Sequence, residues 1–284
     1  MVYRFIDENK KYFGLRWLCL KFNISTNCYY NYLKNKKYKY YKKLNNIYER
    51  IKYIYYTNNR VIGHRIMCVL LRRYGIYLSK TTVHKYMNKV LNLTAVIMRK
   101  KTKYINLYKK HKIFDNLIKQ NFKVNKKNKI WCTDFTYLRR PNGKFIYNCS
   151  IIDLFDRSVV ASVNSKYLNT DLAINTLSKG LKQEKYPKDL ILHSDQGVQF
   201  TSIEFVRYCK ENSIRQSMSK GGCPYDNAPM ERFYNTFKNC FYYRFIFDST
   251  EVLDEMMKKY INWYNYVRPH SYNNYLTPME VRFG

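Results

Sequence analysis

Three acidic residues in the second half of the chain stand where a carboxylate could take part in chemistry. Asp134 lies inside the apolar, strand-like segment KIWCTDFTYL, Asp195 ends the apolar segment DLILHSD, and Glu231 lies in the first turn of a predicted helix. An unpaired carboxylate is costly to bury, so Asp134 needs a cation or hydrogen-bond donors beside it. Asp195 follows the carboxyl end of a strand, where α/β sheets gather their ligands.

Each acid also has an ordinary structural interpretation. Asp134 could be a satisfied core acid or lie at a sheet edge, and Glu231 could simply favour the positive end of a helix. Asp195 could cap the next helix, although Thr201 and Glu204 form a capping box for that helix. Together the three acids fit a pair of divalent cations that support in-line attack at phosphorus. We therefore expect catalytic and metal-binding roles for Asp134, Asp195 and Glu231, with two Mg²⁺ or Mn²⁺ ions as cofactors.

The helix that carries Glu231 has a polar stripe. Asn235 and Lys238 follow Glu231 by four and seven residues and share its face. Phe233 and Phe237 fall on another face and are expected to pack the helix against the protein. The stripe is therefore expected to face a ligand or a partner.

The elements around the acids predict a mixed α/β sheet with helices on its faces. Two β-rich segments, KIWCTDFTYL and FIYNCSIIDLF, are separated by the turn PNGK, and SVVASVNS is a third strand. An amphipathic helix opened by Asn169 or Thr170 follows, then the strand DLILHSD, a second helix, the strand RQSMS, a glycine-containing loop and the long helix ERFYNTFKNCFYYR. Three strands followed by alternating helices and strands are typical of this fold class.

The first 92 residues are predicted to be all-helical. Residues 10–34 are predicted to form two short helices, and Ser25 is the N-cap of the second one. The length and spacing of the pair are typical of a helix-turn-helix, but an ordinary helical hairpin would show them too. Residues 47–92 repeat the pattern, and Ser79 caps a short helix in which Val83, Met87 and Val90 face inward. The outward side chains are candidate donors to phosphates or base edges, or else form a solvated face: Lys80, Thr81, Thr82, His84, Lys85 and Lys89.

The charge of the chain is unevenly distributed. The formal net charge is +32, and residues 1–130 hold 32 of the 52 basic side chains but only 4 of the 20 acidic ones. An AT-rich genome would favour lysine, but it would favour glutamate too, so codon bias does not explain the asymmetry. A polyanionic partner does, with nucleic acid favoured over an anionic membrane surface.

The sequence argues against an integral membrane protein and a classically secreted one. No apolar run approaches the roughly 18 residues needed to cross a bilayer, and the start MVYRFIDENKKYF lacks an apolar signal segment. The eight cysteines form no C-x-x-C pair and are interpreted as reduced cytosolic thiols. They and the five scattered histidines disfavour a zinc site.

The order Asp134, Asp195 and Glu231, with 35 residues between the last two, resembles the DDE triad of retroviral-type integrases and bacterial transposases. The chain resembles the second-frame (OrfB) product of the insertion-sequence-three family in the segments WCTDFTYL, IDLFDRSVV, HSDQGVQFTS, SMSKGGCPYDNAPMERFYNTFK and YNYVRPHSYNNYLTPMEV. The segment FIDENKKYFGLRWLCLKFNISTNCYYNYLK, residues 5–34, is similar to the amino terminus of that product, and RVIGHRIMCVLLRRYGIYLSKTTVHKYM is similar to its internal helix-turn-helix.

The resemblance implies an RNase H-like catalytic core in which the three acids hold Mg²⁺. It also implies cleavage at the terminal inverted repeats followed by strand transfer, with Lys238 contacting the element's end DNA. Asn235, which shares the polar stripe of this helix, is a further candidate for DNA binding. Double-stranded DNA, both element ends and target, is the expected partner of a homo-oligomer in the bacterial cytoplasm, associated with the nucleoid. The family's first frame supplies a leucine zipper that this chain lacks, so the first-frame (OrfA) product, or a fusion with it, is a further expected partner.

The expected domain organisation is a helix-turn-helix-like region at 1–46, a second helix-turn-helix region at 47–92, a basic linker at 93–128 that tracks a phosphate backbone, an integrase core at 129–245 and a helical extension at 246–284. Two alternatives to a strand-transferase remain at the level of sequence. One is a non-catalytic helix-turn-helix regulator with an α/β effector domain, and the other is a nuclease of the same fold that hydrolyses without joining.

Overall fold

The computed structural model describes residues 2–34, 36–95, 113–247 and 249–284. These residues form two compact units, one that ends at Ala95 and one that runs to Gly284. Within the described ranges, no helix combines the length and the apolar character needed to span a bilayer.

The first unit begins with three short helices, α1 (Val2–Phe13), α2 (Leu15–Lys21) and α3 (Thr26–Leu33). Two short helices were predicted over residues 10–34, but Gly14 adopts a φ of 77° and separates α1 from α2 inside that range. The hydroxyl of Ser25 accepts a hydrogen bond from the N–H of Cys28 at 3.2 Å, which confirms the predicted N-cap. A small core of buried side chains joins the helices: Ile6, Leu18, Cys19 and Tyr29.

Three further helices complete this unit, α4 (Lys36–Thr57), α5 (His64–Arg73) and α6 (Lys80–His84), and α6 continues as a π-helical turn over Lys85–Val90. The boundary expected between residues 46 and 47 falls inside α4, so both helical regions belong to one unit. Buried Ile51, Ile54, Met67, Leu71 and Val83 form the core between these helices.

The prediction that Val90 faces inward is wrong. Val83 and Met87 are buried as expected, but Val90 is 44% exposed. The π-helical turn widens the helix after His84 and shifts its later residues off the α-helical period, so the spacing that predicted the buried face no longer holds.

The second unit contains a five-stranded sheet, and the expected alternation of elements is confirmed. Its elements are β1 (Ile130–Arg139), β2 (Phe145–Asp153), β3 (Val159–Ser165), α7 (Thr170–Gln183), β4 (Ile191–Ser194), α8 (Ile203–Glu211), β5 (Arg215–Met218), α9 (Ala228–Cys240), α10 (Thr250–Asn262) and α11 (Pro278–Phe283). The strand order is β3-β2-β1-β4-β5. The first three strands are antiparallel, and β4 and β5 run parallel to β1. This is the mixed sheet of an RNase H-like core.

Helices cover both faces of the sheet. On one face, Cys132, Leu138 and Ile146 of β1 and β2 pack against α9 and α10. On the other face, Trp131 and Cys149 pack against α7 and α8. Side chains alternate along β1, so neighbouring residues serve the two cores in turn. Asp134 belongs to the face that carries α9.

The expected extension at 246–284 packs into the same core as the sheet. Leu253, Met257 and Tyr260 of α10 lie in one cluster with the aromatic side chains of α9. In α11, the guanidinium of Arg282 forms buried ion pairs with Asp153 at 3.0 Å and with Asp156 at 2.7 Å, both near the end of β2. Because their cores are continuous, the two segments are one folding unit.

The basic linker expected at 93–128 is also redistributed. Leu93 packs in the core of the first unit, and residues 96–112 lie outside the described residues. Ile118 is buried in the core of the second unit, and the N–H of Leu117 donates to the Ser217 hydroxyl at 2.9 Å. The described stretch from residue 113 onward is therefore attached to the second unit, and its contact with a DNA backbone stays a prediction.

Candidate active site

Asp134 lies in the middle of β1, opposite Ser150 of β2. Asp134 is half-buried, and its Oδ1 atom accepts a hydrogen bond from the N–H of Phe135 at 2.7 Å. The hydroxyl of Tyr234 in α9 donates to the main-chain carbonyl of Asp134, also at 2.7 Å. Helix α9 therefore holds the strand at the residue that carries the carboxylate.

Asp195 follows β4 directly. The parallel register pairs Cys132 of β1 with His193 of β4, so continuing it by two residues brings Asp195 level with Asp134. The Oδ1 atom of Asp195 accepts a hydrogen bond from the N–H of Gly197 at 2.9 Å. The pairing of strands far apart in sequence is what brings the two acids side by side.

Asp195 does not cap the helix that follows it. Helix α8 is capped by Ser202, whose hydroxyl accepts from the N–H of Phe205 at 3.3 Å. The predicted capping box of Thr201 and Glu204 is therefore wrong by one residue. The Thr201 hydroxyl instead donates to main-chain carbonyls of the preceding turn.

Glu231 lies in the first turn of α9, as predicted, and its side chain is exposed. The tight turn Pro224–Asn227 and Pro229 set the start of this helix. Buried Met230, Phe233 and Phe237 fasten α9 to the sheet, and the Glu231 side chain remains exposed to solvent.

The three acids interact electrostatically. Desolvation raises the pKa of the Asp134 carboxyl well above its usual range, and the negative charges of Asp195 and Glu231 raise it further. Desolvation also raises the pKa of Asp195. Lys238 and the N–H of Phe135 oppose this effect at Asp134 but do not outweigh it. The acids thus form a centre of incompletely compensated negative charge.

The composition of this centre suits a hard divalent cation. Its available donors are carboxylate oxygens, the ligands that Mg²⁺ and Mn²⁺ prefer, and their mutual repulsion is what a bound cation would relieve. Across the part of the chain that the structure describes, no three histidine, cysteine or acidic side chains are already gathered within ligand distance of one point.

The polar stripe of α9 reaches the same region. Lys238 is half-buried, and desolvation lowers the pKa of its ammonium group while the nearby Asp134 carboxylate raises it. Asn235 is exposed, and its Oδ1 atom accepts from the side-chain amide of Asn239 at 2.6 Å. Lys238 therefore lies close enough to Asp134 to interact with it, whereas Asn235 is directed towards the next turn of its own helix.

A buried histidine, His193, lies two residues before Asp195 and was not singled out from the sequence. The ring of His193 lies 2.9 Å from the Ser217 hydroxyl, 3.1 Å from the Ser219 hydroxyl and 3.0 Å from the main-chain carbonyl of Asp226. Desolvation lowers its pKa. These contacts join β4 to β5 and to the loop before α9. A histidine in an otherwise apolar strand was the available signal.

The loop before α9 is held by Asp226 and Asn227, both buried. The Asp226 carboxylate accepts from the N–H of Lys220 at 3.0 Å and from the side chains of Gln120 and Asn116 at 2.9 Å each. These donors, the Lys220 N–H first, lower its pKa. The Asn227 amide donates to the carbonyl of Thr133 at 3.3 Å and so connects the start of α9 to β1.

The candidate DNA-binding residues of the first unit lie on α6 and the turn that continues it. Lys80, Thr81, His84, Lys85 and Lys89 are exposed, and Thr82 is half-buried. Ser79 caps α6 as predicted, since its hydroxyl accepts from the N–H of Thr82 at 3.1 Å. The hydroxyls of Thr81 and Thr82 both form hydrogen bonds with the hydroxyl of Ser79. A DNA ligand would have to compete with these bonds for the two threonine hydroxyls.

The cysteines take no part in the acidic centre. All eight are free thiols. Desolvation raises the pKa of Cys132, which neighbours the site in β1, to about 12, and the same cause raises that of Cys149 to about 12. Thiols with such pKa values stay protonated near neutral pH and are poor metal ligands.

The chain is similar to known mobile-element proteins. Models of the integrase core domain match residues 124–224 and 212–278. The putative transposase InsK of insertion sequence element IS150 from Escherichia coli is 30% identical over 281 residues, which are 98% of this chain and 96% of that protein. The transposase InsF of insertion sequence IS3A, also from E. coli, is 34% identical over 169 residues, 59% of this chain and 58% of InsF.

The chain is also similar to solved structures of integrases. The catalytic core domain of HTLV-2 integrase in complex with magnesium is 20% identical and covers 55% of this chain and 97% of its own, with a TM-score of 0.44.

Proposed function

This chain belongs to the insertion-sequence-three family of transposases, polynucleotidyl transferases with an integrase core, and we propose that it cleaves and joins DNA at the terminal inverted repeats of its own element. The observation that carries the proposal is the adjacency of Asp134 in β1 and Asp195 directly after the parallel strand β4, with Glu231 close enough to raise the pKa of Asp134. A DNA-binding regulator has no use for three acids at such a cost in repulsion.

Asp134, Asp195 and Glu231 would hold the divalent cations of the reaction, two Mg²⁺ or Mn²⁺ ions. When bound, such ions activate the attacking hydroxyl and stabilise the leaving oxygen of an in-line displacement at phosphorus. The all-carboxylate donor set and the raised pKa of Asp134 support this assignment.

The chain's own groups orient these acids. The N–H groups of Phe135 and Gly197 each hold one oxygen of a carboxylate, which leaves the second oxygen to face a ligand. Lys238, near Asp134, supplies a positive charge at the rim of the acidic centre, where a DNA phosphate would meet it. Asn235 would contact the same DNA after its bond to Asn239 is released.

The basic first unit would bind the element ends. Lys80, Lys85 and Lys89 would contact phosphates from α6 and the π-helical turn that continues it, and His84, Thr81 and Thr82 are further candidate DNA contacts. Both the element ends and the target are double-stranded DNA, and joining two ends requires more than one copy of the chain on the DNA. We propose the first-frame product as a further partner and the bacterial nucleoid as the place of action.

The experiment is a cleavage assay with a duplex of the element's own terminal repeat, Mg²⁺ and the full chain, with and without the first-frame product. Asp195→Asn should lower the cleavage rate by about 10³-fold or more, since the stabilisation at stake is several kcal/mol. Binding to the duplex, measured by mobility shift, should stay equal or become tighter. The matched control is Asp189→Asn, which changes an exposed acid whose only described ion pair, with Lys129, is long at 3.9 Å.

The outcomes separate the candidate functions. Cleavage followed by joining of the ends to a target plasmid supports the transposase. Nicked ends without joined product, in the presence of the first-frame product, would indicate a hydrolytic nuclease of the same fold. Tight binding with no metal-dependent cleavage would indicate the regulator and overturn the proposal.

A further inference from the structure

Three aromatic side chains form a partly exposed cluster towards the turn end of the β1–β2 hairpin. Tyr137, Phe145 and Tyr147, the aromatic cluster, come from facing positions of the two strands. The ring centroids of Tyr137 and Tyr147 lie 5.4 Å apart at 77°, and those of Tyr137 and Phe145 lie 6.5 Å apart at 89°. The rings meet edge to face and do not cover each other's faces. Tyr137 is 54% exposed and Phe145 is 46% exposed. The apolar surface of these two rings is therefore available to a ligand, which would gain free energy by covering it.

The hairpin around the cluster is cationic. Arg139 and Lys144 are exposed, Arg140 is half-buried, and no acidic residue occurs in the sequence from Phe135 to Ile152. Arg139 faces Phe145 directly across the two strands. Aromatic rings bordered by positive charge are complementary to a nucleotide, which offers a flat base and a phosphate.

The cluster is also near the catalytic acids. Phe135 is on the same face of β1 as Tyr137 and stacks on Phe200, five residues after Asp195, with centroids 4.8 Å apart. The pKa of Tyr137 is raised first by desolvation, then by Tyr147, and then by the carboxylates of Asp195 and Asp134. Asp134 lies on the opposite face of β1, but β1 continues to Arg139 beyond its last pairing with β4 at Cys132. A strand held at the acids would cross this unpaired edge of β1 to reach the aromatic cluster.

We propose that the aromatic cluster binds an unpaired nucleobase of the DNA strand at the active site, by stacking it on Tyr137. This inference rests on the proposed function and adds a binding site to it. In duplex DNA both faces of a base are covered by its neighbours, so an aromatic ring gains a partner only where a base has left the stack. Stacking on an aromatic side chain accepts any base, because each has a π-face.

The test is photocrosslinking of the full chain, in EDTA to prevent cleavage, to a thymidine single strand of about twelve nucleotides. One internal thymidine is replaced by 5-iododeoxyuridine, which on irradiation couples to an aromatic ring stacked on it. Crosslinked peptides are mapped by mass spectrometry. We expect a crosslink within the peptide that carries Tyr137, and a yield at least about fivefold lower when the same iodouracil is base-paired inside a duplex.

Three variants sharpen the result. Tyr137→Ala should lose the crosslink in this peptide and weaken binding of the single strand by about fivefold or more, the low end for one stacked base. Tyr137→Phe should retain both, because the ring and not the hydroxyl makes the contact. Tyr186→Ala, which removes another exposed tyrosine of the same unit, should behave as the unchanged protein. Thermal unfolding of each variant identifies any that fails to fold. If Tyr137→Ala does not fold, the test falls to Tyr137→Phe, and loss of the crosslink in that variant would contradict the inference.

Absence of crosslinking between residues 135 and 147, or equal crosslinking of the paired and unpaired base, would overturn the inference. Crosslinks confined to other aromatic residues would place the single strand elsewhere and have the same consequence. Failure of the proposed function is a separate observation, since it would appear as loss of metal-dependent cleavage by the unchanged chain.

Discussion

The backbone N–H of Gly197 donates to the Oδ1 atom of Asp195 at 2.9 Å, and a Cβ atom at Gly197 would stand only 2.9 Å from that same oxygen. The turn after β4 therefore holds the carboxylate by a hydrogen bond and leaves no room beside it. Glycine is required here for its lack of a side chain, since the φ of Gly197 is not in the left-handed region.

Replacing Gly197 by alanine should disturb catalysis more than folding. The methyl group would displace the Asp195 carboxylate, and a misplacement of about 1 Å in a catalytic group can cost about 100-fold in rate. We expect a cleavage rate lower by about that factor, with duplex binding by mobility shift unchanged. At Gly221, by contrast, the nearest atom to an added Cβ is Gln196 Oε1 at 3.5 Å, so Gly221→Ala is the matched control. Equal rates for the two variants would contradict the prediction.

The hydroxyl of Tyr234 should stabilise the strand at Asp134. It donates to the Asp134 carbonyl in a buried setting, and Tyr234→Phe leaves that acceptor without this donor. We expect the free energy of unfolding to fall by about 1–2 kcal/mol in urea titrations. Tyr242→Phe is the comparison, because its hydroxyl also donates to β1, to the carbonyl of Arg139 at 2.9 Å, but in an exposed position. That variant should lose less than about 0.5 kcal/mol, since water replaces the donor.

The ion pairs of Arg282 should be essential to the stability of the second unit. Its guanidinium is 2% exposed and contacts the carboxylates of Asp153, Asp156 and Glu184, so Arg282→Met leaves buried acids without their cation. Breaking such a pair costs about 3–5 kcal/mol. Urea unfolding should show this loss, whereas Arg207→Met should change stability by less than about 0.5 kcal/mol.

The contrast follows from solvent exposure. Arg207 forms a pair with Glu211 at 3.9 Å in which both side chains are more than half exposed, and exposed pairs contribute little. A stability of Arg282→Met within about 1 kcal/mol of the unchanged chain would show that the C-terminal helix is not held by this cluster.

His270 should make the second unit less stable in acid. Desolvation, with the charges of Arg268 and Arg157, lowers its pKa from 6.5 to about 3, while its Nε2 atom bonds to the Tyr264 carbonyl. Because the unfolded chain binds this proton near pH 6.5 and the folded chain does not, stability is full above pH 6.5 and is lost as the pH falls towards 3.

Between pH 7 and pH 5 this loss amounts to about 2 kcal/mol from His270 alone. His270→Gln keeps an N–H donor but does not titrate, so its unfolding free energy should depend less on pH by that amount over the same interval. Parallel pH profiles for the two proteins, measured by urea unfolding, would contradict the assignment.

Much of the second unit was predictable from its sequence. Alternation of polar and apolar residues and the Asn-Gly turn between β1 and β2 are local signals, and the expected alternation of elements is confirmed. The predicted caps Ser25, Ser79 and Asn169 are likewise confirmed, because an N-cap bond joins residues only three apart. The sequence pattern did not predict two local departures from regular helix. One is the break at Gly14 between α1 and α2, and the other is the π-helical turn that leaves Val90 exposed.

The sequence by itself determined which residue types are present and which strand or helix each enters, and so identified the acids at positions 134, 195 and 231. Only the tertiary structure decided that Asp195 lies level with Asp134, that Arg282 of α11 pairs with Asp156 beyond the end of β2, and that Tyr137 and Tyr147 meet on the β1–β2 hairpin. The physical reason is the distance along the chain over which each kind of interaction acts. Propensity and capping act between residues a few positions apart, whereas strand pairing and buried charge depend on contacts between segments separated by tens to more than a hundred residues.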